Sequence, residues 1–279
     1  YVLNEDLGNT SGNGNGIYTG LSAGSYTVTV TDGNGCSVVT TSVTVSNPPV
    51  LTASLVGTDI SCNGAGDGTV TATAGGGTGA YSYVLLEDLL NTSGNATGVY
   101  TGLGSGSYTV QVTDVNGCVV VSNAYNVTEP AAVTAGTTVS LYSGGFNVSC
   151  TGASDGYIEV TAAGGTGDYT FTLGGASTAV QTQPGAVYRF TGLGAGAYTI
   201  DVEDANGCSM APTLNVTLTA PVAVTASAVV NSIHNGSDIS CTGASDGQLT
   251  VTAGGGDGVY SYVLNEDLGN TSGNGNGIY

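Results

Sequence analysis

The sequence contains no lysine and a single arginine, Arg189, against twenty aspartate and glutamate residues, so its formal net charge is −19 at pH 7. Such a surface repels phosphate groups, which argues against nucleic acid and disfavours an anionic membrane surface as a partner. The same charge keeps neighbouring molecules apart in a crowded medium. We therefore expect an acidic, self-repelling surface.

Residues that support catalysis are equally scarce. The single histidine, His234, lies in the segment NSIHNGSD, where we expect a solvated loop residue, and Arg189 stands beside a strand in VYRFTGL. No Ser/His/Asp or Cys/His set can be assembled from these residues, so we predict that the chain is not an enzyme. Nothing indicates a cleft with facing carboxylates, as a glycosidase needs. Two pairs of adjacent acids are interpreted as solvated charge: Glu5 with Asp6, and Glu87 with Asp88.

Long apolar segments are also missing. No stretch approaches the roughly 18 to 20 apolar residues that a membrane helix requires, and no cationic segment followed by an apolar core opens the sequence. Glycine is abundant, at 48 residues, without the three-residue phase of collagen, and there are six prolines. Valine, threonine and tyrosine fill the spaces between, which favours β-strands.

The sequence is built from repeats on two scales. The eighteen residues YVLNEDLGNTSGNGNGIY occur at both ends, and Tyr262 repeats Tyr1 at a period of 261 residues, so we expect the chain to be part of a longer array. A shorter unit contains two blocks, seen as SCTGASDGYIEVTAAGGTGDYTF from Ser149 and GLGAGAYTIDVEDANGC ending at Cys208. Internal repeats of this kind indicate a chain of similar structural units, and the secondary structure is therefore predicted unit by unit.

Prolines mark the boundaries of the short units, in SNPPVLTAS, TEPAAVTAG and TAPVAVTAS. They predict complete repeats at residues 50–130 and 131–220. Residues 1–49 are then the C-terminal half of a repeat, and residues 221–279 are the N-terminal half of another. Three non-identical repeats make up the 261-residue period.

Each repeat is predicted to be all-β. Tyr26, Val28 and Val30 alternate with threonines, which indicates a strand with one buried face, and Asp-x-Asn-Gly follows as a tight hairpin. No segment shows a sustained helical period. Units of this length with about seven short strands predict tandem immunoglobulin-like antiparallel β-sandwich domains in a linear array. The tyrosine that precedes each such strand resembles a tyrosine corner. A β-solenoid is the competing fold, although its coils repeat at a much shorter period.

Six cysteines occupy equivalent positions in the repeats. We expect disulfides within complete repeats, Cys62 with Cys118 and Cys150 with Cys208, with Cys36 and Cys241 pairing outside the chain. Closing loops of this size stabilises a small domain by about 4 kcal/mol in the chain-entropy model. The alternative joins Cys36 to Cys62 across a proline boundary. Either pairing implies an oxidising, extracytoplasmic location, whereas zinc ligation lacks its CxxC spacing.

Calcium is the metal that the turns could hold. The predicted disulfides would bring the loop of Asp67 to the hairpin of Asp114, and likewise Asp155 to Asp204, at one pole of each repeat. Carboxylates and backbone carbonyls are the ligands that calcium selects. However, aspartate before glycine is also what a turn requires, so these four residues are only weak calcium candidates. No other cofactor is expected.

The order of the motifs SCNGAGDG, GGTGAYSY, TGLGSGSYTVQVTDVNGC and VTEP resembles the SprB-type repeat of Bacteroidota surface proteins. The resemblance covers nearly the whole chain. It implies giant repetitive cell-surface adhesins, some of which form filaments used in gliding and attachment and are exported by the type IX system. No functional residue of the family can be transferred onto this sequence.

The leading functional hypothesis is a structural one, namely the repeat region of a bacterial extracellular filament or adhesin stalk. Its partners would be neighbouring repeats or subunits and a surface or glycan ligand, met by the variable loops NTSGNGNG and QTQPGA. An array of carbohydrate-binding modules is the alternative, but there is no tryptophan, and only Tyr18, Tyr100 and Tyr188 are candidates for an exposed platform. A polymer of separate subunits joined by strand exchange is the third hypothesis. Glycosylation sequons such as those at Asn91 and Asn126 are weak signals in so asparagine-rich a chain.

Overall fold

The chain forms β-strands throughout its described part. The computed structural model describes residues 1–265, 273 and 275–278. Among them, the one helical element is a 3-10 turn at Ser143–Gly145, and no helix is long and apolar enough to cross a membrane. The prediction of an all-β chain is therefore confirmed.

Strands β1 to β13 lie in residues 1–130. They are β1 (Val2–Leu3), β2 (Gly24–Tyr26), β3 (Val28–Thr31), β4 (Ser37–Val39), β5 (Val43–Val45), β6 (Thr52–Thr58), β7 (Gly68–Gly75), β8 (Tyr81–Leu85), β9 (Val99–Leu103), β10 (Gly106–Tyr108), β11 (Val110–Asp114), β12 (Val119–Val121) and β13 (Tyr125–Val127). Strands β14 to β22 follow. They are β14 (Thr134–Val139), β15 (Gly156–Ala163), β16 (Tyr169–Gly175), β17 (Ala179–Gln183), β18 (Val187–Leu193), β19 (Gly196–Glu203), β20 (Leu214–Leu218), β21 (Val222–Val230) and β22 (Leu249–Gly256).

Residues 131–220 show the sandwich most clearly. One sheet has the order β14-β15-β18 and the other the order β17-β16-β19-β20, and all neighbouring strands are antiparallel. Their alternating apolar residues meet in one core, to which Ile158 and Val160 contribute from the first sheet and Phe171, Ile200 and Val202 from the second. Two antiparallel sheets of seven strands over such a core make an immunoglobulin-like sandwich, as predicted.

The equivalent strands of residues 50–130 form sheets of order β6-β7-β9 and β12-β11-β8, with β10 paired to β13. Val70 and Ala72 alternate inward from one sheet, and Val110 and Val112 from the other. Residues 1–49 contain the sheet β1-β3-β4 and the pair β2-β5, and β21 pairs with β22 in the last part of the chain. The same period-two pattern therefore produces the same kind of sheet in each segment.

One segment differs from its sequence prediction. QTQPGA was expected to be a variable loop, but Gln181, Thr182 and Gln183 lie in strand β17 beside β16. The hydroxyl oxygens of Thr170 and Thr182 are 2.8 Å apart across this pair. β-branched residues at alternate positions extend the hairpin here, so only residues 184–186 remain as its connection.

The tyrosine corner is present in three segments. The hydroxyl of Tyr198 donates to the backbone oxygen of Gly194 at 2.9 Å, and this tyrosine is only 2% exposed. The equivalent bonds join Tyr26 to Ser22 and Tyr108 to Gly104. Each ties the start of a core strand to the turn that precedes it, which confirms the resemblance seen in the sequence.

By its internal contacts, the chain divides into two compact units. One comprises residues 1–59 and 66–128, and the other comprises residues 60–65 and 129–279. The finer division into repeats at 50–130 and 131–220, flanked by two half-repeats, stays a prediction. Residues 60–65 belong to the second unit, although the predicted repeat boundaries assign them to the first complete repeat.

The tyrosine corner generates a stability prediction. Replacing Tyr198→Phe removes the hydroxyl and leaves the Gly194 carbonyl without its partner, so the free energy of unfolding should fall by about 1 kcal/mol. Calorimetry should show a lower melting temperature by about 2–4 °C. The matched change Tyr157→Phe, at a partly exposed ring that lies under Arg189, should alter stability by less than about 0.5 kcal/mol. Equal effects of the two changes would contradict a role for the corner.

Candidate functional site: the clamped linker

Each linker packs against a glycine turn of the repeat that follows it, at or directly after the end of that repeat's second strand. The amide of Gly165 donates to the backbone oxygen of Ala131 at 2.8 Å. Gly164 has a φ of +76°, and a Cβ on it would lie 2.0 Å from the oxygen of Ala132. Only glycine fits at this position. The same contacts recur between Gly77 and Pro49, Gly76 and Val50, and Gly255 and Ala223.

A buried aspartate holds the glycine turn to the hairpin that ends the core strand. Asp204 is 4% exposed, and its carboxylate accepts backbone N–H bonds from Thr166 at 2.8 Å and from Asn206 and Cys208 at 2.9 Å each. A Cβ on Gly165 would lie 2.6 Å from the same carboxylate. The carboxylate of Asp204 therefore joins the Asp-x-Asn-Gly hairpin to the glycine turn. Asp114 makes the equivalent bonds to Thr78, Asn116 and Cys118.

The ionisation of Asp114 reflects these bonds. Its carboxylate is desolvated, which opposes ionisation, but the backbone N–H groups of Cys118, Thr78 and Asn116 donate to it and outweigh that effect. The pKa of Asp114 is therefore lowered from the ordinary 3.8. The charged form of this aspartate is the one that fits the turn.

The other side of the linker is held by the cysteine loop, a name used here for residues 60–65 and for the equivalent residues 148–153 and 239–244. The side-chain amide of Asn63 donates to the oxygen of Pro130 at 3.1 Å, and the amide of Gly64 donates to the carboxylate of Glu129. In the next repeat, the hydroxyl of Thr151 donates to the oxygen of Pro221 at 2.6 Å. The residue after the loop cysteine therefore binds the proline carbonyl of the following linker in both repeats.

A disulfide closes this junction. Cys62 of the cysteine loop is bonded to Cys208 of the hairpin, with an S–S distance of 2.03 Å and a Cα–Cα distance of 5.6 Å. Beside it, the side-chain amide of Asn206 donates to the oxygen of Ser61 at 3.1 Å. All of these residues belong to the second unit.

This bond corrects the expected pairing of the cysteines. Neither Cys62 with Cys118 nor Cys150 with Cys208 is bonded, and the alternative of Cys36 with Cys62 is also not seen. The physical reason is the linker, because its bonds to Asn63 and Gly64 hold the cysteine loop beside the hairpin of the next repeat. Cys36, Cys118, Cys150 and Cys241 are exposed thiols in the structure.

The aspartates proposed for calcium serve the turns instead. Asp114 and Asp204 accept three backbone N–H bonds each, and Asp155 accepts the amide of Ser149 at 3.1 Å, which closes its cysteine loop. Asp67 is exposed at the equivalent position. Among the described residues, no group of three or more His, Cys, Asp or Glu residues is arranged to hold a metal ion. Calcium binding at these four residues stays a prediction of the sequence.

The two unusual cations have local partners. Arg189 pairs with Glu159 at 2.7 Å and lies 4.3 Å from the ring centroid of Tyr157. Because Arg189 and Glu159 are opposite each other in the register of β18 and β15, this is a cross-strand pair. His234 lies in an exposed loop, with Nε2 3.8 Å from a carboxylate oxygen of Asp246.

One acid of each adjacent pair holds a strand in place. Both carboxylate oxygens of Glu87 accept bonds from Thr109, one from the amide and one from the hydroxyl, each at 2.7 Å. Glu5 does the same with Thr27, and these bonds lower the pKa of Glu5. Asp6 and Asp88 make no comparable contact to a strand. Glu5 and Glu87 are both exposed, so these strand contacts add to the expected solvated charge and do not replace it.

The tyrosines considered for a carbohydrate platform are covered. Tyr100 is 0% exposed, Tyr18 is half-buried, and Tyr188 packs on Phe171 and Phe190 with centroid distances of 5.9 and 4.8 Å. The ring of Tyr100 fills the space that a Cβ on Gly94 would occupy.

The side chain of Asn91, in a glycosylation sequon, forms hydrogen bonds to nearby residues. Its side chain donates to the oxygen of Thr101 at 3.0 Å and accepts from the hydroxyl of Ser93 at 2.7 Å. Asn126 is exposed on β13. Half of the second copy of the NTSGNGNG loop, residues 270–272 and 274, lies outside the described residues.

The lowered pKa predicts how pH acts on this site. Because the folded-state pKa of Asp114 lies below 3.8, its charge stabilises the fold above that pH, and this stabilisation is lost as the pH falls through the folded-state value. Asp114→Asn should therefore destabilise the protein at pH 7 and have little effect near pH 2. Denaturant unfolding across this range measures the difference. The control Asp6→Asn, at an exposed acid of the same unit, should be neutral at both pH values, and a pH-independent effect of Asp114→Asn would contradict this account.

Comparison with known proteins places these motifs in a family. The model of the SprB repeat matches the chain three times, at residues 55–88, 147–178 and 235–269. Each match includes the cysteine loop and glycine turn of one repeat. A search of curated proteins gave no match.

Three solved structures resemble the chain remotely. A C-terminal 282-residue intimin fragment, in complex with the intimin-binding domain of the translocated intimin receptor, is 14% identical with a TM-score of 0.31, over 65% of this chain and 67% of that one. A tetra-tandem repeat from the extending region of a large adhesion protein is 17% identical with a TM-score of 0.26, over 84% of this chain and 65% of that one. Murine CEACAM1b is 12% identical with a TM-score of 0.25, over 61% of this chain and 100% of that one. The chain therefore carries three segments that match the SprB repeat, each on the same structural elements.

Proposed function

We propose that this chain is a structural repeat region of a bacterial extracellular filament or surface adhesin stalk, which supplies length, stiffness and surface attachment. The observation that carries the proposal is the linker at residues 129–132. Glu129 and Pro130 accept bonds from the cysteine loop before them, and Ala131 and Ala132 meet the glycine turn after them. A linker with every residue engaged has little freedom to act as a hinge.

The charge of the surface supports the same role. The single arginine forms an ion pair with Glu159 inside one sheet. The formal net charge of the chain is −19. Long fibres of such repeats would repel one another and stay separate in a crowded layer. The acidic composition thus suits a filament that must not bundle.

The SprB repeats and the sandwich fold support a non-enzymatic protein at the cell surface or outside the cell. Export by the type IX system and a part in gliding are finer elements of the proposal, and they follow from the family resemblance alone. Partners would be neighbouring repeats, or a surface ligand met by exposed loops. Leu90 is 93% exposed and Leu7 71% exposed in the equivalent loops of two repeats, which offers apolar tips for such contacts.

The carbohydrate-binding alternative receives no support from the tyrosines. A glycan platform needs aromatic faces in contact with solvent, and Tyr18, Tyr100 and Tyr188 are buried or half-buried. The structural role therefore remains the better supported of the two.

The clamp on the linker can be tested at one hydroxyl. Thr151→Val keeps the side-chain shape but removes the bond to the Pro221 oxygen, so amide exchange at residues 222–224 should become about fivefold faster, as expected for the loss of about 1 kcal/mol. Hydrogen exchange followed by mass spectrometry measures this rate. Thr242→Val at the equivalent position of the next cysteine loop is the matched control and should leave the exchange of residues 222–224 unchanged. Unchanged exchange in both variants would mean that the cysteine loop does not hold the linker.

The cellular role can be tested with an antibody raised against the folded chain. Immunogold electron microscopy of the native cells should label extracellular fibres or the outer surface, and the antibody fragments should block attachment to a solid surface. Label confined to the cytoplasm would overturn the proposal. Surface label without fibres, together with binding of the purified chain to a glycan array, would favour the carbohydrate-binding alternative.

A further inference from the structure

The six cysteines fall into two classes. Loop cysteines stand in the cysteine loops, at Cys62, Cys150 and Cys241, and hairpin cysteines follow the Asp-x-Asn-Gly turns, at Cys36, Cys118 and Cys208. The bond that forms joins the loop cysteine of residues 50–130 to the hairpin cysteine of residues 131–220. It therefore connects two successive repeats rather than closing one.

We propose that this bond is one rung of a ladder, in which each loop cysteine is bonded to the hairpin cysteine of the next repeat. Within the 279 residues, the rule has one complete pair, which is Cys62 with Cys208. The other cysteines have no partner of the right class in the right repeat. The same rule thus accounts both for the bond that is present and for the four exposed thiols.

The next junction is already arranged for such a rung. Cys150 is exposed in a small cleft that it lines together with Thr151, Pro221, Val222 and Gly256. The cleft at the bonded junction is lined by the equivalent residues, together with the hairpin cysteine: Cys62, Asn63, Pro130, Ala131, Gly165 and Cys208. The second cleft is lined by no hairpin cysteine, since that of the repeat that begins at residue 221 is not among the 279 residues.

The two junctions are equivalent in their contacts to the linker backbone. Asn63 and Thr151, each directly after the loop cysteine, donate to the oxygens of Pro130 and Pro221. Each linker then meets a glycine of the following repeat, Gly164 or Gly255, at the same close distance of 2.0 Å for a built Cβ. At the bonded junction, the cysteine loop is hydrogen-bonded to one side of the linker. The hairpin is joined to the other side through Asp204 and the glycine turn.

Formation of each rung is an ordinary two-electron oxidation. Two thiols lose two protons and two electrons as the S–S bond forms, and an oxidised thiol–disulfide oxidoreductase accepts them as its own disulfide becomes a dithiol. An oxidising extracytoplasmic compartment supplies that partner.

The ladder would protect the array against tension. The bond between Cys62 and Cys208 spans a sequence separation of 146 residues, and a pulling force passes through the bond instead of through that segment. Successive rungs overlap, because Cys150 lies inside the span of the first rung and bonds beyond it. If one sandwich unfolds while its disulfides are intact, the residues between the bonded cysteines are not extended by the force, and the gain in end-to-end length is limited.

Disulfide mapping of a longer chain tests the rule. Because residues 262–279 repeat residues 1–18, adding residues 19–49 after Tyr279 completes the third repeat and supplies a second copy of Cys36. The oxidised protein is alkylated, digested with Asp-N and chymotrypsin and mapped without reduction. We expect two bonds, Cys62 with Cys208 and Cys150 with the added cysteine, whereas Cys118, Cys241 and the original Cys36 are alkylated. Bonds within repeats, namely Cys62 with Cys118, Cys150 with Cys208 and Cys241 with the added cysteine, would overturn the proposal, as would a mixture of pairings.

A pair of variants of the unextended chain checks the same point independently. In Cys208→Ser, Cys62 should become available to alkylation, whereas a bond to Cys118 would have kept it protected. Cys241→Ser is the matched control and should leave Cys62 protected. If Cys208→Ser does not fold, single-molecule pulling of the unmodified chain replaces it, and reduction should then release about 500 Å of additional length, from 146 residues at roughly 3.3–3.6 Å each. A release of about 200 Å per bond, as loops of 56–58 residues would give, would contradict the ladder.

Discussion

The rest of this structure depends on the backbone of a four-residue linker. Ordering residues 129–132 costs about 4–8 kcal/mol in conformational entropy, less what Pro130 already restricts. The bonds from Asn63, Gly64 and Gly165 return about 2–5 kcal/mol. The remainder is small enough for the disulfide between Cys62 and Cys208 to offset, since it keeps the cysteine loop and the hairpin on either side of the linker together. Hydrogen bonds and the covalent bond therefore act on the same junction.

This constraint explains the composition of the chain. A linker that contacts a turn so closely needs glycine, and a Cβ at Gly164 or Gly76 would lie about 2 Å from a linker oxygen. The glycine turn also needs a carboxylate that accepts hydrogen bonds from several backbone amides, and Asp204 and Asp114 provide it. Repetition of these turns places the same glycines and aspartates in each repeat.

The strands and the sandwich could be predicted from the sequence because alternation of Val, Ile and Thr is a local signal, and the tyrosine of the corner bonds only four residues back. The cysteine pairing could not be predicted in this way, because pairing Cys62 with Cys118 by their spacing assumes that each disulfide lies within one repeat. The position of Cys62 is decided by contacts of residues 63 and 64 with the next linker. The end of strand β17 was also missed, since the segment QTQPGA, whose first three residues belong to it, contains a proline and a glycine that are typical of a loop. The bonds of Glu87 to Thr109 were not predicted either, because the two residues are distant in sequence.

The main conclusion is that residues 129–132 are held on one side by the cysteine loop and on the other by the glycine turn of the same unit. The most direct measurement is ¹⁵N relaxation by NMR on the oxidised 279-residue chain, with the order parameters of the Glu129, Ala131 and Ala132 amides compared with those of strand β15. We expect values near 0.85 for the linker, as for a rigid backbone. Values below about 0.6 at these amides would contradict a held linker.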